Sequence, residues 1–473
     1  MHAGRPVGQS RQVTRLTWMV AMGWAGGTLA APAPPSVPSF RVQVGPAAES
    51  LSVEASFPPA STRTLVVEDG GEQFLRDVEL EQSGHWEPVR NAEQGVVLPA
   101  CANGCRVKYR FLLRQAAEAL GDPQAAAAFG AAFVSPPSTW LLHPRQVALS
   151  GYRLQVQTPE GVAFLSGLPR TSEPGEYQSA SGLRVTPLAA FGQWRVRTFD
   201  VGGSHLIVAV APGPLAMTDE DISHWVSEAT GAVARYYRHF PVPQLLLLVV
   251  PNRGQRLSGF TLGEGGASIL LRVGTTLPAG EARAHWVLTH ELMHLGFPSL
   301  RRNHQWMEEG MAVFAEPLVR VRAGMVDEDV VWSEWLEQGR VGLPRAGEGG
   351  LETTHTWART YWGGALYWLV LDVTLRERTH NARSVDDILR ALVAQSGNVT
   401  RHWEMEDVLR VADAAAGLPL PSELFHSLAE APGAPNLDEL FRKLGVSLHQ
   451  GTVVYDEAAP LAGVRRAMVG HAP

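Results

Sequence analysis

Lysine is nearly absent from this chain. Of 40 basic residues only Lys108 and Lys443 are lysines, and the rest are arginine. Forty-seven acids leave a net charge of -7, so there is no general electrostatic footprint for nucleic acid and no such partner is expected. Cysteine is equally scarce. The two present, Cys101 and Cys105 in CANGC, exclude a cysteine-built metal cluster and a disulfide-dense scaffold. In an oxidising compartment they are expected to close a small disulfide across the Asn-Gly turn. No cysteine follows the amino-terminal apolar run, which excludes lipid attachment of the bacterial lipoprotein kind. Beyond that run no stretch approaches ~18 unbroken apolar residues, so stable membrane insertion is not expected. Internal repeats are also missing.

What is present reads as a globular protein. With 473 residues, 45% of them hydrophobic and 18% charged, the chain is too long for one ordinary core, and two or three domains are expected. Arg5, Arg11 and Arg15 precede LTWMVAMGWAGGTLA, followed by small residues at Ala30, Ala31 and Ala33. This pattern implies a secretory signal over residues 1–31, and hence a periplasmic or secreted protein, with an uncleaved anchor as the minor alternative. Residues 32–39, PAPPSVPS, form an extended linker. Residues 40–212 carry short alternating segments (FRVQV, RVKYRFLL, YRLQVQT, QWRVRTF, HLIVAVAP), which predict a β-sandwich-like domain. One helical insertion, RQAAEALGDPQAAAAFGAAF, is expected within it. From 213 to 435 two strands, LLLLVVP and GGASILLRVG, are followed by apolar residues at helical spacing. Residues 436–473 are a carboxy-terminal extension. Strands first and helices after give an α+β class.

The chemistry concentrates in LTHELMHLGFPSLRRNHQWMEEGMA, residues 288–312. Helical residues four apart share a face, so His290 and His294 present two imidazoles to one point, as a zinc ion requires of its first two ligands. Glu291 lies about 100° round the helix, placed to take a proton from a water rather than to bind the metal. Chance at this composition gives about 0.05 matches to H-E-x-x-H even if every acid is counted as Glu. A catalytic zinc needs a third protein ligand and one open position. Gly296 and Pro298 can end the first helix, and Asn303 can cap a second beginning near His304. Glu308, Glu309 and His304 all come within range of the metal on that second helix. Glu316, seven residues beyond Glu309 on the same face, is a candidate to orient a histidine.

WMEEGMA, residues 306–312, is similar to the W-x-x-E-G-x-A stretch of gluzincin metallopeptidases. That resemblance selects Glu309 as the third ligand. The short spacing between the motifs looks closest to the glycyl aminopeptidase family, which also sets a β-domain before a thermolysin-like, mainly helical zinc peptidase domain. TYWGGALYWLVLDVTLRERT resembles the family's Tyr-x-Lys-Gly segment. The resemblance implies that Tyr361 donates a hydrogen bond to the oxyanion, with Gly363 where the family has lysine. GGAS, residues Gly265, Gly266, Ala267 and Ser268, sits where aminopeptidases carry a glycine-rich stretch ending in an amine-binding glutamate. These four are the expected substrate-binding residues, on a strand that can pair with a peptide. Ser268 supplies no charge for an amine, which leaves amino-end and internal cleavage both open. The family's PDZ domain is not expected here. The implied function is an exported peptidase with one Zn2+ per chain acting on peptide or protein substrates. The alternative is a non-catalytic zinc-containing envelope protein.

Overall fold

The computed structural model describes residues 37–59, 64–89, the backbone of 91–92, 95–98 and 103–470. The expected signal at 1–31 and Cys101, with its disulfide, lie outside the described residues. Among the described residues no helix is long and apolar enough to cross a membrane.

The first half is built from three sheets around one core. The largest has seven strands in the order Glu176–Ser179, Tyr152–Gln157, Ser39–Val44, Leu51–Phe57, Cys105–Phe111, Leu75–Gln82, His85–Pro88. Strand alternation decides its faces. Leu51, Val53, Ala55 and Phe57 turn inward, while Ser52, Glu54 and Ser56 turn out. The inward residues pack with Phe133, Trp140 and Phe191 from outside that sheet. Tyr109 ties the core together by donating to Trp140 O at 2.9 Å and accepting from Leu142 N at 3.1 Å.

The alanine-rich insertion departs from the helical expectation. Helix covers Leu113–Leu120 and stops at Gly121, which is left-handed at φ 62°. AAAAFGAAF instead makes a hairpin, Ala127–Phe129 against Ala132–Val134, turning at Gly130 with φ 66°. Ala132 and Val134 pack against the next sheet, and this packing overrides the helix propensity of the alanine run.

That next sheet has five strands in the order Arg195–Val201, Ser204–Val210, Gln244–Asn252, Ser268–Gly274, Leu257–Leu262. Residues 195–210 alternate like the amino-terminal strands, yet Ser204–Val210 pairs in parallel with Gln244–Asn252 and so joins the second half. LLLLVV reads as a continuous apolar run because both faces are covered. Leu245, Leu247 and Val249 face the helices, while Leu246, Leu248 and Val250 face Ala132, Leu188 and Ala190. Leu257–Leu262 runs antiparallel to Ser268–Gly274 and forms the sheet's edge.

The helices pack on the first of those faces. Asp219–Tyr237 starts with a capping box between Thr218 and Asp221. Val287–His294 and Gln305–Arg322 carry the motif. A π turn, Arg359–Gly363, runs straight into Gly364–Thr379. The carboxy-terminal helices Leu437–Leu444 and Ala462–Met468 bury Phe441, Leu444 and Met468 in the same core.

Candidate metal centre

The motif helix is short because its carboxy end meets a neighbour. Gly296 lies so close to Tyr237 that a Cβ there would stand 2.2 Å from the ring, and the chain turns away through Pro298. Asn303 does not cap the second helix. A single 3-10 turn, Arg302–His304, leads in, and the Asn303 amide goes to Glu352 at 3.1 Å. His304 and Trp306 reach the same carboxylate, each at 2.8 Å, so Glu352 anchors the start of the helix that carries Glu309.

The two helices bring three ligand atoms to one point. His290 Nε2 and His294 Nε2 are 3.3 Å apart, and Glu309 Oε2 lies 3.3 Å from the first and 3.5 Å from the second. A tetrahedral ion with bonds of about 2.0–2.1 Å needs ligand atoms about 3.3 Å apart, so the donor set fits zinc in chemistry and in spacing. Among the described residues this is the one cluster of three or more potential ligands. Of the carboxylates and imidazole left open by spacing, Glu309 alone joins it. Glu308 Oε1 accepts from Leu300 N at 2.9 Å, and burial pushes its carboxyl up to about 7. Glu316 turns to Arg320 at 2.8 Å rather than to a histidine, and Arg320 also bonds Ala284 O.

Electrostatics bind the cluster tightly even without an ion. Burial disfavours a charged His294 ring. The hydrogen-bonded Glu309 carboxylate overrides that, with Glu291 and Glu308 behind it, and raises the ring's pKa to about 9. The same contacts hold Glu309 well below the usual carboxylate range against its own burial. A metal that takes the Nε2 lone pair displaces the proton. Apparent Zn2+ affinity is therefore expected to rise by about tenfold per pH unit as pH climbs towards 9, then level off. The metal-free protein has the opposite sign. The stability His294 contributes is full below pH 6.5 and is lost as pH climbs through 9. Competition titrations with a chelator at pH 6, 7 and 8 check this, and a flat affinity profile would remove His294 from the ligand set.

Glu291 is held beside the cluster by the sheet edge. Thr261 Oγ1 donates to Glu291 Oε2 at 2.8 Å, and Gly259 lets the strand pass, since a Cβ there would sit 3.0 Å from Glu291 Cγ. Sequence reading missed Thr261. The signal was available in LSGFTL, where a period of two puts Gly259 and Thr261 on one face. Tyr361 closes the other side. Its ring stacks over His290 at 6.5 Å. Burial, then the Glu309 and Glu291 carboxylates, push its phenol above the ordinary value, so it stays protonated as a donor. Gly363 points away from the site, where a Cβ would meet Leu351 at 2.8 Å and Arg359 Nη1 at 3.3 Å.

The glycine-rich stretch does not reach the cleft. A Cβ at Gly265 would strike Ser179 and one at Gly266 would strike Gly167, both in the first half. Ala267 and Ser268 are fully buried. The Ser268 hydroxyl accepts from Leu188 N at 2.8 Å and faces Leu262 O at 3.3 Å. These glycines serve close packing between layers. The cleft, about 630 Å³, is walled instead by the edge strand Leu257–Leu262, the two motif helices and Tyr361.

No family model and no curated protein matches the sequence. Solved structures do match in fold, among them an aminopeptidase N family protein and M1 zinc metallopeptidases. One is an aminopeptidase N family protein from Idiomarina loihiensis, at TM-score 0.63 and 14% identity over 86% of this chain and 78% of that one. Another is the M1 zinc metallopeptidase from Deinococcus radiodurans, at TM-score 0.54 and 16% identity over 85% and 94%. A variant of the latter bound to a Tyr-Ser-Ala substrate superposes at TM-score 0.55 with 16% identity over 84% and 94%. At these identities the likeness is one of fold: this chain has the mixed α+β architecture of those peptidases.

Proposed function

We propose that the protein is an exported zinc-dependent peptidase of the gluzincin type, with a β-rich amino-terminal domain and a thermolysin-like catalytic domain. One observation carries the reading. Three ligand atoms converge from two helices while Glu291, no ligand, is hydrogen-bonded in place beside them. A structural zinc site has no use for that carboxylate. His290, His294 and Glu309 would hold the ion, which supplies Lewis acidity towards water and the peptide carbonyl. Glu291 accepts a proton from the attacking water and delivers it to the leaving amine. Thr261 fixes which carboxylate oxygen is free to do so. Tyr361, a phenol that stays protonated, donates to the oxyanion. The outer edge of Leu257–Leu262 offers unpaired backbone groups along which an extended peptide can lie.

Digestion of a synthetic peptide library tests the proposal. Cleavage is expected with one Zn2+ per chain, is lost with chelator and returns with Zn2+. In the same assay Tyr361→Phe is expected to lose about 10²-fold in kcat while keeping its metal. A library left intact by the zinc-loaded protein rejects peptidase activity and favours a binding role for the same centre.

A further inference from the structure

Among the described residues two aromatic side chains are exposed, Trp286 at 46% and Trp357 at 63%. Trp286 packs on His290 of the metal centre, and Trp357 packs on Tyr361 beside it. Trp286 lies four residues before His290, whose amide donates to Trp286 O, and its ring packs edge-on to the His290 ring at 5.2 Å. Trp357 lies four residues before Tyr361 and stacks on it at 5.7 Å, 24° from parallel. Helical spacing of four makes each contact, so each indole is fixed by its own helix one turn from a site residue. His285 covers one face of Trp286 at 5.8 Å, and Tyr361 covers one face of Trp357. The rings thus form a row, Trp286, His290, Tyr361, Trp357, with successive centroids 5.2, 6.5 and 5.7 Å apart. Trp286 lines the cleft together with Val185, also exposed, and Trp357 borders it through its stacking on the lining residue Tyr361.

A tryptophan that served only to cover its neighbour would be buried, as Trp306, Trp332 and Trp368 are in this core. Exposed apolar surface costs free energy unless something covers it, and an indole braced by a second ring offers a flat, low-entropy contact face. Resting on the peptidase reading, we propose that Trp286 and Trp357 are substrate-side-chain platforms, so that the peptides cleaved carry a large apolar or aromatic side chain next to the reacting bond. The occupant follows from position, because the rings adjoin the residues that would hold the metal and the oxyanion.

The library digest, read by mass spectrometry, is expected to show cleavage concentrated beside Phe, Tyr, Trp, Leu or Met. Cleavage concentrated beside basic, acidic or small residues overturns the proposal. For matched peptides with Phe or Ala at the preferred position, the wild-type ratio of kcat/KM is expected to fall about tenfold or more in Trp286→Ala or Trp357→Ala. Trp357→Phe should restore most of it. An unchanged ratio in both alanine variants rejects the platforms. Calorimetry on the Glu291→Gln protein gives a reading independent of turnover. Ala-Ala-Phe-Ala-Ala is expected to bind more tightly than Ala-Ala-Ala-Ala-Ala, with the difference lost in the added tryptophan variants. Selective binding with no cleavage by wild type would sink the peptidase reading and leave the platforms standing. Cleavage without side-chain preference would do the reverse, and neither binding nor cleavage rejects both.

Discussion

Glu291→Gln is expected to keep stoichiometric zinc and to lose at least about 10³-fold in kcat/KM. The two halves of that expectation rest on different contacts. Metal retention follows because the converging atoms belong to His290, His294 and Glu309, and Glu291 is not among them. The fold should tolerate the change too, since a glutamine oxygen still accepts the Thr261 hydroxyl now 2.8 Å from Glu291 Oε2. What disappears is the basic oxygen. A carboxamide cannot take the proton of an attacking water or return it to the leaving amine, and general base catalysis contributes about 10²–10⁴-fold. Elemental analysis and steady-state kinetics on the same preparation separate these effects. A rate within tenfold of wild type, with metal present, would show that the proton goes elsewhere.

Much of this centre is legible in the sequence, and the reasons differ from residue to residue. His290 and His294 could be read because helical periodicity alone fixes their mutual position. Glu309 could not be separated from Glu308 by spacing. The choice depends on the crossing of two helices, which in turn depends on Glu352 anchoring His304 and Trp306 from 46 to 48 residues downstream. GGAS illustrates the opposite failure. Glycines permit close approach of anything, and here the partner is the backbone near Gly167 rather than a ligand. The neighbouring LSGFTL, less conspicuous in composition, forms the cleft wall and supplies Thr261. Residues 195–210 alternate like the strands before them, and pairing partners are not written in a strand's own pattern. The setting of Tyr361 in a π turn is likewise a tertiary matter. An extra residue in the turn changes which side chains face the cleft, and such turns are frequent at functional sites.

The residue after the third ligand makes the fold and the chemistry inseparable, and Gly310→Val tests that link. Gly310 and Gly364 lie where the helix carrying Glu309 meets the helix that continues from Tyr361. A Cβ on Gly310 would stand 2.2 Å from Gly364 C, and one on Gly364 would stand 2.0 Å from Trp306 O. These are backbone atoms, so rotamer changes cannot relieve the overlap and the helices must separate. A valine adds two methyls beyond that Cβ. Overpacking of a dense core costs about 1–3 kcal/mol, and here the upper end or beyond is expected because both partners are backbone. Separation also carries Tyr361 away from Glu309 and His290, and a shift of about 1 Å at a positioned group can cost about 10²-fold in rate. Gly310→Val is therefore expected to lower the midpoint of thermal unfolding by several degrees and to reduce kcat/KM by more than about 10²-fold, even where the protein is fully folded. Calorimetry and kinetics at a temperature well below the midpoint distinguish misplacement from unfolding. If folded Gly310→Val cleaves peptides at the wild-type rate, the helix contact does not position the tyrosine, and Tyr361 has no part in the reaction that depends on its distance from the metal ligands.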